Sequence, residues 1–216
     1  MIISCLHTAD SNVAVFESAA RQLGVSDVTL RHAVRADLLG AAELAGGLSE
    51  EITEETAVIL SALAREADVV LLTCSTLGPS VAKAGMGAAV PILRVDAALA
   101  EKAAAAGGKV VALCAVETTV APTTALFAAA AHRSGADIEV RLVEGAWALF
   151  KEGNRDGYLA AVAQAAEAGY GDGATIVALA QASMTGAADH VRNGPRPLSS
   201  PAAGLEAAMS AVAGWR

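Results

Sequence analysis

Several things are scarce in this chain, and each scarcity excludes something. Cationic side chains are outnumbered: 15 Lys and Arg face 23 Asp and Glu, for a net charge of −8. Nucleic acid and anionic membrane both call for basic patches, so neither is expected as a partner. Cysteine is rare, with three widely spaced residues, an odd number that makes no disulfide framework. Aromatic residues make up only 3% of a chain that is 54% hydrophobic, so the core must be built largely from small side chains, alanine above all. Long uninterrupted apolar runs are missing as well. The opening "MIISCLHTADS" has a short apolar run and no basic segment, unlike a signal peptide. The most membrane-like stretch, residues 110–131, is broken by Glu117, Pro122 and four threonines, which fits a strand, a loop and a helix better than a span. The expectation is a soluble, cytoplasmic protein.

What is present is an alternation. Apolar runs with β-branched residues alternate with alanine-rich helical stretches, which predicts an α/β fold with mainly parallel sheets. Strands are expected at 2–6, 28–32, 69–73, 109–114, 138–142 and 175–179, with a weaker one at 91–95. Ser49 is expected to cap a helix whose first turn holds Glu50 and Glu51. The last helix is expected to start with Ser200 as cap and Pro201 at its first position. The two halves also resemble each other. "ADVVLLTCSTLGP" (67–79) lies over "ATIVALAQASMTG" (174–186), Phe16 over Phe127, Gly24 over Gly135, Arg31 over Arg141 and Pro91 over Pro197. A chance likeness of two alanine-rich units is the competing reading. If the repeat is real, two similar α/β halves place their strand-end loops across a cleft, and ligand sites in such folds lie beyond the carboxyl ends of strands.

The richest of these loops is "TCSTLGPS", residues 73–80. Ser75, Thr76 and Gly78 suit a turn, and Pro79 suits a first helical turn. Cys74 would then sit just before a helix N-terminus, where free N–H groups and the helix dipole lower a thiol's pKa. The same N–H groups, with the Ser75 and Thr76 hydroxyls, could hold a carboxylate. A buried structural thiol is the competing reading, since free cysteine is among the most buried residue types.

Three stretches carry a resemblance: "TCSTLGP" after "DVVLL", the strand-1 loop "HTADSN", and "CAVETTVAPT" after the strand at 109–114. In this order and spacing they resemble the aspartate/glutamate racemase superfamily, which includes hydantoin racemase, maleate isomerase and arylmalonate decarboxylase. The resemblance covers nearly the whole chain. It implies two pseudo-symmetric α/β domains, about 1–96 plus 198–216 and about 97–197, with the active site between them. It also implies chemistry without cofactor or metal, in which one cysteine from each half moves a proton at the carbon next to a carboxylate. Cys74 matches the first cysteine. Gln181, in "AQASM", stands where the second is normal, and glutamine has no proton to titrate near neutral pH. His7 lies where relatives place polar catalytic or binding residues. Thr118 and Thr119 match a carboxylate-binding loop, and Ser183 with the backbone around Met184 matches a second cradle. Glu117 is expected to point away.

The function that follows is proton transfer of the racemase or isomerase type on a small amino or dicarboxylic acid, using Cys74. The alternatives are single-cysteine decarboxylation or lyase chemistry, cis–trans isomerisation, and a non-catalytic carboxylate-binding module. A homo-oligomer is in keeping with such relatives. Cys5 and Cys114 are expected to be packed core inside strands. Cys5-x-His7 puts two possible ligands on one strand face, but linear spacing supplies no further zinc-type ligand, so no metal site is expected. The stretches "GMG" (85–87) and "GYGDG" (169–173) lack the strand-then-helix context of a dinucleotide loop.

Overall fold

The computed structural model describes residues 1–25 and 27–215. Ser26 and Arg216, which fall within the aligned repeat and the first expected domain, lie outside the described residues. The apolar runs form strands β1 (Ile2–His7), β2 (Thr29–Val34), β3 (Val69–Leu72), β4 (Ile92–Arg94), β5 (Lys109–Cys114), β6 (Asp137–Leu142), β7 (Ile176–Leu179) and β8 (Leu198–Ser199). Between them run helices α1 (Ser11–Gln22), α2 (Ala36–Leu44), α3 (Glu50–Ala64), α4 (Ser80–Ala84), α5 (Val95–Ala105), α6 (Val120–Ser134), α7 (Ala146–Lys151), α8 (Arg155–Gly171) and α9 (Ser200–Trp215). The chain divides into two compact units, Met1–Ala98 with Pro201–Arg216, and Leu99–Ser200.

Each unit holds one four-stranded, wholly parallel sheet. The strand orders are β2-β1-β3-β4 and β6-β5-β7-β8, the same order twice. Ile3 pairs with Val69 in one sheet, and Val110 pairs with Ile176 in the other. In each sheet the chain leaves the first strand towards one edge and the third strand towards the other. Loops after such neighbouring strands diverge, which opens a crevice at their carboxyl ends. The loops after β1 and β3, and after β5 and β7, occupy those places.

Alternation along the strands builds the second unit's core. Val111, Leu113, Val177 and Leu179 face α7 and α8, where Tyr158, Val162 and Ala166 pack on them. Val110, Ala112 and Ala178 face the other way, onto Leu99 and Phe127. A strand pattern with both faces apolar is what a covered parallel sheet requires. Small residues let the layers approach closely. A Cβ on Gly169 would lie 3.3 Å from Val177, a tight contact that would make the neighbouring side chains give by a few tenths of an ångström.

The repeated residues have repeated jobs. Phe16 and Phe127 are both fully buried. Gly24 and Gly135 end α1 and α6 at φ values of +67° and +76°, a conformation glycine adopts without steric cost. Arg31 reaches Glu66 just ahead of β3, and Arg141 reaches Asp172 just ahead of β7. Stretch 110–131 forms β5, a 3₁₀ turn and α6. No helix among the described residues is long and apolar enough to cross a membrane.

Two expectations about helix ends come out differently. Ser49 caps α3, its Oγ accepting from the Ile52 amide at 3.3 Å. Ser200 does not cap α9: it lies inside the first turn, and its buried Oγ has no hydrogen-bond partner. Strand β8, only two residues long, was not expected, because so short a run carries no readable periodicity.

Candidate active site

In the first unit, the β3 run of apolar residues stops at Leu72 and residues 75–79 turn before α4. This turn brings the amides of Thr76 and Leu77 onto the sulfur of Cys74. The hydroxyl of Thr8, from the loop after β1, reaches the same sulfur. Cys74 is 8% exposed. Its environment pulls two ways: burial and the nearby Asp96 carboxylate raise the thiol pKa, while the hydroxyl and the two amides lower it. Burial is the largest effect and the net direction is upward. The expected lowering by a helix N-terminus is therefore corrected. The groups on the sulfur come from the turn, and α4 itself begins only at Ser80 and is five residues long. Cys74 rests as a thiol whose thiolate, once formed, has three donors waiting.

The turn is braced from below. Arg94, at the end of β4, makes a paired contact to Asp96, with both N···O distances 2.7 Å. A Cβ on Gly78 would lie 2.5 Å from this guanidinium, so any larger residue there would have to displace the Arg94 head from its place. Asp96 is 1% exposed and the Arg94 side chain 17%, so the pair is mostly shielded from water. Ser75 and Thr76 are buried in the same turn.

In the second unit, Gln181 follows β7 as Cys74 follows β3. Its Oε1 accepts from the amides of Ala115 (2.5 Å) and Val116 (3.1 Å) in the loop after β5. A side-chain oxygen of this same unit thus fills a pair of amides suited to a carboxylate oxygen. Thr119 is buried, and its hydroxyl donates to the Val116 carbonyl at 2.5 Å. Its amide donates to that carbonyl too, at 3.0 Å, so both Thr119 donors are engaged within the turn. Thr118 is half-buried in that turn, and Glu117 is exposed. Ser183 pairs with Tyr158, Oγ to hydroxyl at 2.8 Å. Burial pushes the Tyr158 phenol up to about 12, against the lowering effect of Ser183. Met184 packs fully into the core, and its amide donates to the Gln181 carbonyl at 3.0 Å.

His7 is fully buried at the end of β1. Its Nδ1 lies 2.8 Å from the Thr73 hydroxyl oxygen and its Nε2 2.8 Å from Nδ1 of His32. His32 in turn lies 3.2 Å from Glu17. Burial first, then the neighbouring His32, hold the His7 pKa down at about 4. Both ring nitrogens of His7 are thus engaged within the fold. Its neighbour Thr8 makes the contact to Cys74 instead. Sequence reading missed Thr8, although its place in "HTADSN" beside His7 was the available signal. Cys5, His7 and His32 stand together as a group of possible metal ligands, and His32 was invisible to linear spacing because it comes from the neighbouring strand. Cys5 and Cys114 are buried within their strands.

Two α/β units of one strand order, each with polar loops beside the strand pair where the connections diverge, define the class of fold. Solved structures of the same fold include racemases. Picrophilus torridus aspartate racemase matches with a TM-score of 0.74 at 12% identity, over 98% of this chain and 94% of its own. Klebsiella pneumoniae allantoin racemase matches at 0.70 and 18%, over 99% and 88%. Bacillus anthracis glutamate racemase matches at 0.69 and 13%, over 97% and 80%. No protein-family model and no curated protein matches the sequence.

Proposed function

We propose that the protein is a cofactor-independent enzyme of the racemase and isomerase type. It moves a proton at the carbon next to the carboxylate of a small amino or dicarboxylic acid, with Cys74 as the proton-carrying group. The observation that carries this reading is the setting of the sulfur. A thiol at the end of β3 faces the Thr8 hydroxyl and the Thr76 and Leu77 amides, on a fold shared with aspartate, allantoin and glutamate racemases. Such donors stabilise negative charge as it develops on the sulfur. The thiol gives its proton to the enolate carbon of the substrate, and the thiolate then rests on the three donors. In reverse, the thiolate removes the proton.

Gln181 makes this a one-thiol reaction. It brings no titratable proton, and its oxygen is already held by Ala115 and Val116. Proton exchange on a single face of the carbon is the expected chemistry, and decarboxylation followed by protonation fits the same machinery. Ser75 and Thr76 flank the sulfur and are assigned to the substrate carboxylate. Thr118 and Ser183 are assigned to carboxylate contact on the family resemblance alone.

The test is incubation of amino and dicarboxylic acids in deuterated water with the wild-type protein and with Cys74→Ser. Deuterium entering the α-carbon only with the wild type supports the reading. Exchange at equal rates in both proteins removes Cys74 from it. The occupied amides of the second unit favour one rival, a carboxylate-binding module without turnover. That rival predicts protection of Cys74 from iodoacetamide by the bound acid, with no exchange at all.

A further inference from the structure

One cluster of chemically potent side chains stands apart from the Cys74 turn. Cys5 and His7 are two residues apart on β1 and so share a face of the sheet. β2 runs parallel to β1 with His32 paired to Cys5, so the register brings a third side chain beside them. Cys5 Sγ and the ring nitrogens of His7 and His32 all lie within 4.8 Å of one another. The other unit has nothing comparable. There, Ala112 and Val140 are the strand partners in the corresponding register.

The hydrogen bonds around the cluster aim the imidazoles inward. When the Thr73 hydroxyl donates to the Leu6 carbonyl, across their 3.0 Å contact, its oxygen must accept from His7 Nδ1–H. The Glu17 carboxylate can only accept, so His32 must donate from Nε2. These two demands leave the lone pairs of His7 Nε2 and His32 Nδ1 facing each other across 2.8 Å. In that arrangement a cation, a proton or a metal ion, belongs between the two lone pairs, whereas a Thr73 hydroxyl turned to donate to His7 Nδ1 makes the same contact an ordinary N–H···N bond. Each ring also has the outer hydrogen-bond partner that metal-binding histidines use to fix tautomer and orientation, a hydroxyl for His7 and a carboxylate for His32.

We propose that Cys5, His7 and His32 form a binding site for one thiophilic d¹⁰ cation, Zn²⁺ or Cu⁺, with Thr73 and Glu17 as orienting groups. A thiolate with two imidazoles suits these ions rather than Mg²⁺ or Ca²⁺. Metal–nitrogen bonds of about 2.0–2.1 Å in a tetrahedron set the two nitrogens roughly 3.3 Å apart, so the rings need to part by only about half an ångström. Binding displaces the Cys5 thiol proton to solvent. The site ties β1 to β2 directly beneath Thr8 and, through Thr73, beside Cys74. It is thus a brace for the Cys74 turn, and its binding is measurable whether or not the proposed catalysis holds.

The test starts from chelator-stripped wild-type protein, titrated in separate arms with Zn²⁺ and, without air, Cu⁺. Each arm runs against a chromophoric chelator. Co²⁺ serves as the spectroscopic probe of a thiolate ligand. One equivalent per chain is expected, with a thiolate-to-cobalt absorption band that Cys5→Ser abolishes. His32→Gln should weaken binding at least 100-fold. Glu17→Gln, whose side chain is 45% exposed and so leaves folding intact, should weaken it about 10-fold. Cys114→Ser, in the other unit, should bind as wild type. The arm with the tighter binding names the ion. Failure of both ions to bind one per chain overturns the proposal, as does wild-type affinity in His32→Gln and Glu17→Gln. The cluster then carries only a proton.

Discussion

The loop after β3 and the loop after β7 occupy matching places in two sheets of identical strand order, yet they hold opposite chemistry. The first presents a sulfur to a hydroxyl from the β1 loop and two amides of its own turn. The second presents a glutamine oxygen to two amides of the β5 loop. The first can gain and lose a proton, whereas the second can only orient. The inner strands β1, β3, β5 and β7 of the two units are alike in being buried on both faces. The difference teaches that the same strand order can set a titratable side chain on one loop and a non-titratable one at the matching place of the other.

Removing the thiol should break the comparison most severely. Cys74→Ser is expected to cut α-carbon deuterium exchange by roughly 10²–10⁴-fold, the usual contribution of a placed proton carrier. The check is exchange followed by NMR, with circular dichroism unchanged. Next in size is the brace below the turn. Asp96→Asn strips a mostly buried guanidinium of its charge partner, at a cost of about 3 kcal/mol. That is a fall in Tm of roughly 6–12 °C for a chain of this size, readable by calorimetry.

Gln181→Ala acts on the other side of the comparison. It leaves the Ala115 and Val116 amides without their acceptor and should cost about 1–2 kcal/mol. It should also let added dicarboxylate raise the Tm of the variant more than that of the wild type, since the freed amides can take an anion. The smallest effect tunes the sulfur. Burial places the Cys74 pKa above the ordinary 9.0, so its iodoacetamide alkylation should rise only at pH above that value. Thr8→Val removes a donor that favours the thiolate and should move the midpoint further up. The sign extends to stability. A thiol with a raised pKa in the folded state adds stability that is full below the unfolded value and lost as pH climbs past it.

Much of this was readable from residue order. The α/β alternation, the repeat and the "TCSTLGP" turn are local patterns, and strands β1, β3, β5 and β7 fall within a residue of where the apolar runs place them. The substitution at Gln181 was legible too, but not that its oxygen would be taken by amides 65 and 66 residues away. Thr8 and Cys74, like Cys5 and His32, meet only through the register of neighbouring strands, which no linear spacing reveals. The direction of the Cys74 pKa was misjudged because donors are visible in a sequence and desolvation is not. The hydrogen-bonded chain through His7 and the packing of the Met184 side chain into the core were likewise not readable from position alone.

The central claim is that one thiol, without a partner, moves the proton. The most direct measurement is the stereochemical course of exchange in deuterated water for a single enantiomer that the wild type turns over. The account predicts deuterium at the α-carbon with the starting configuration retained, and loss of that exchange in Cys74→Ser. Inversion keeping pace with exchange would contradict it, since that needs a second proton carrier opposite Cys74.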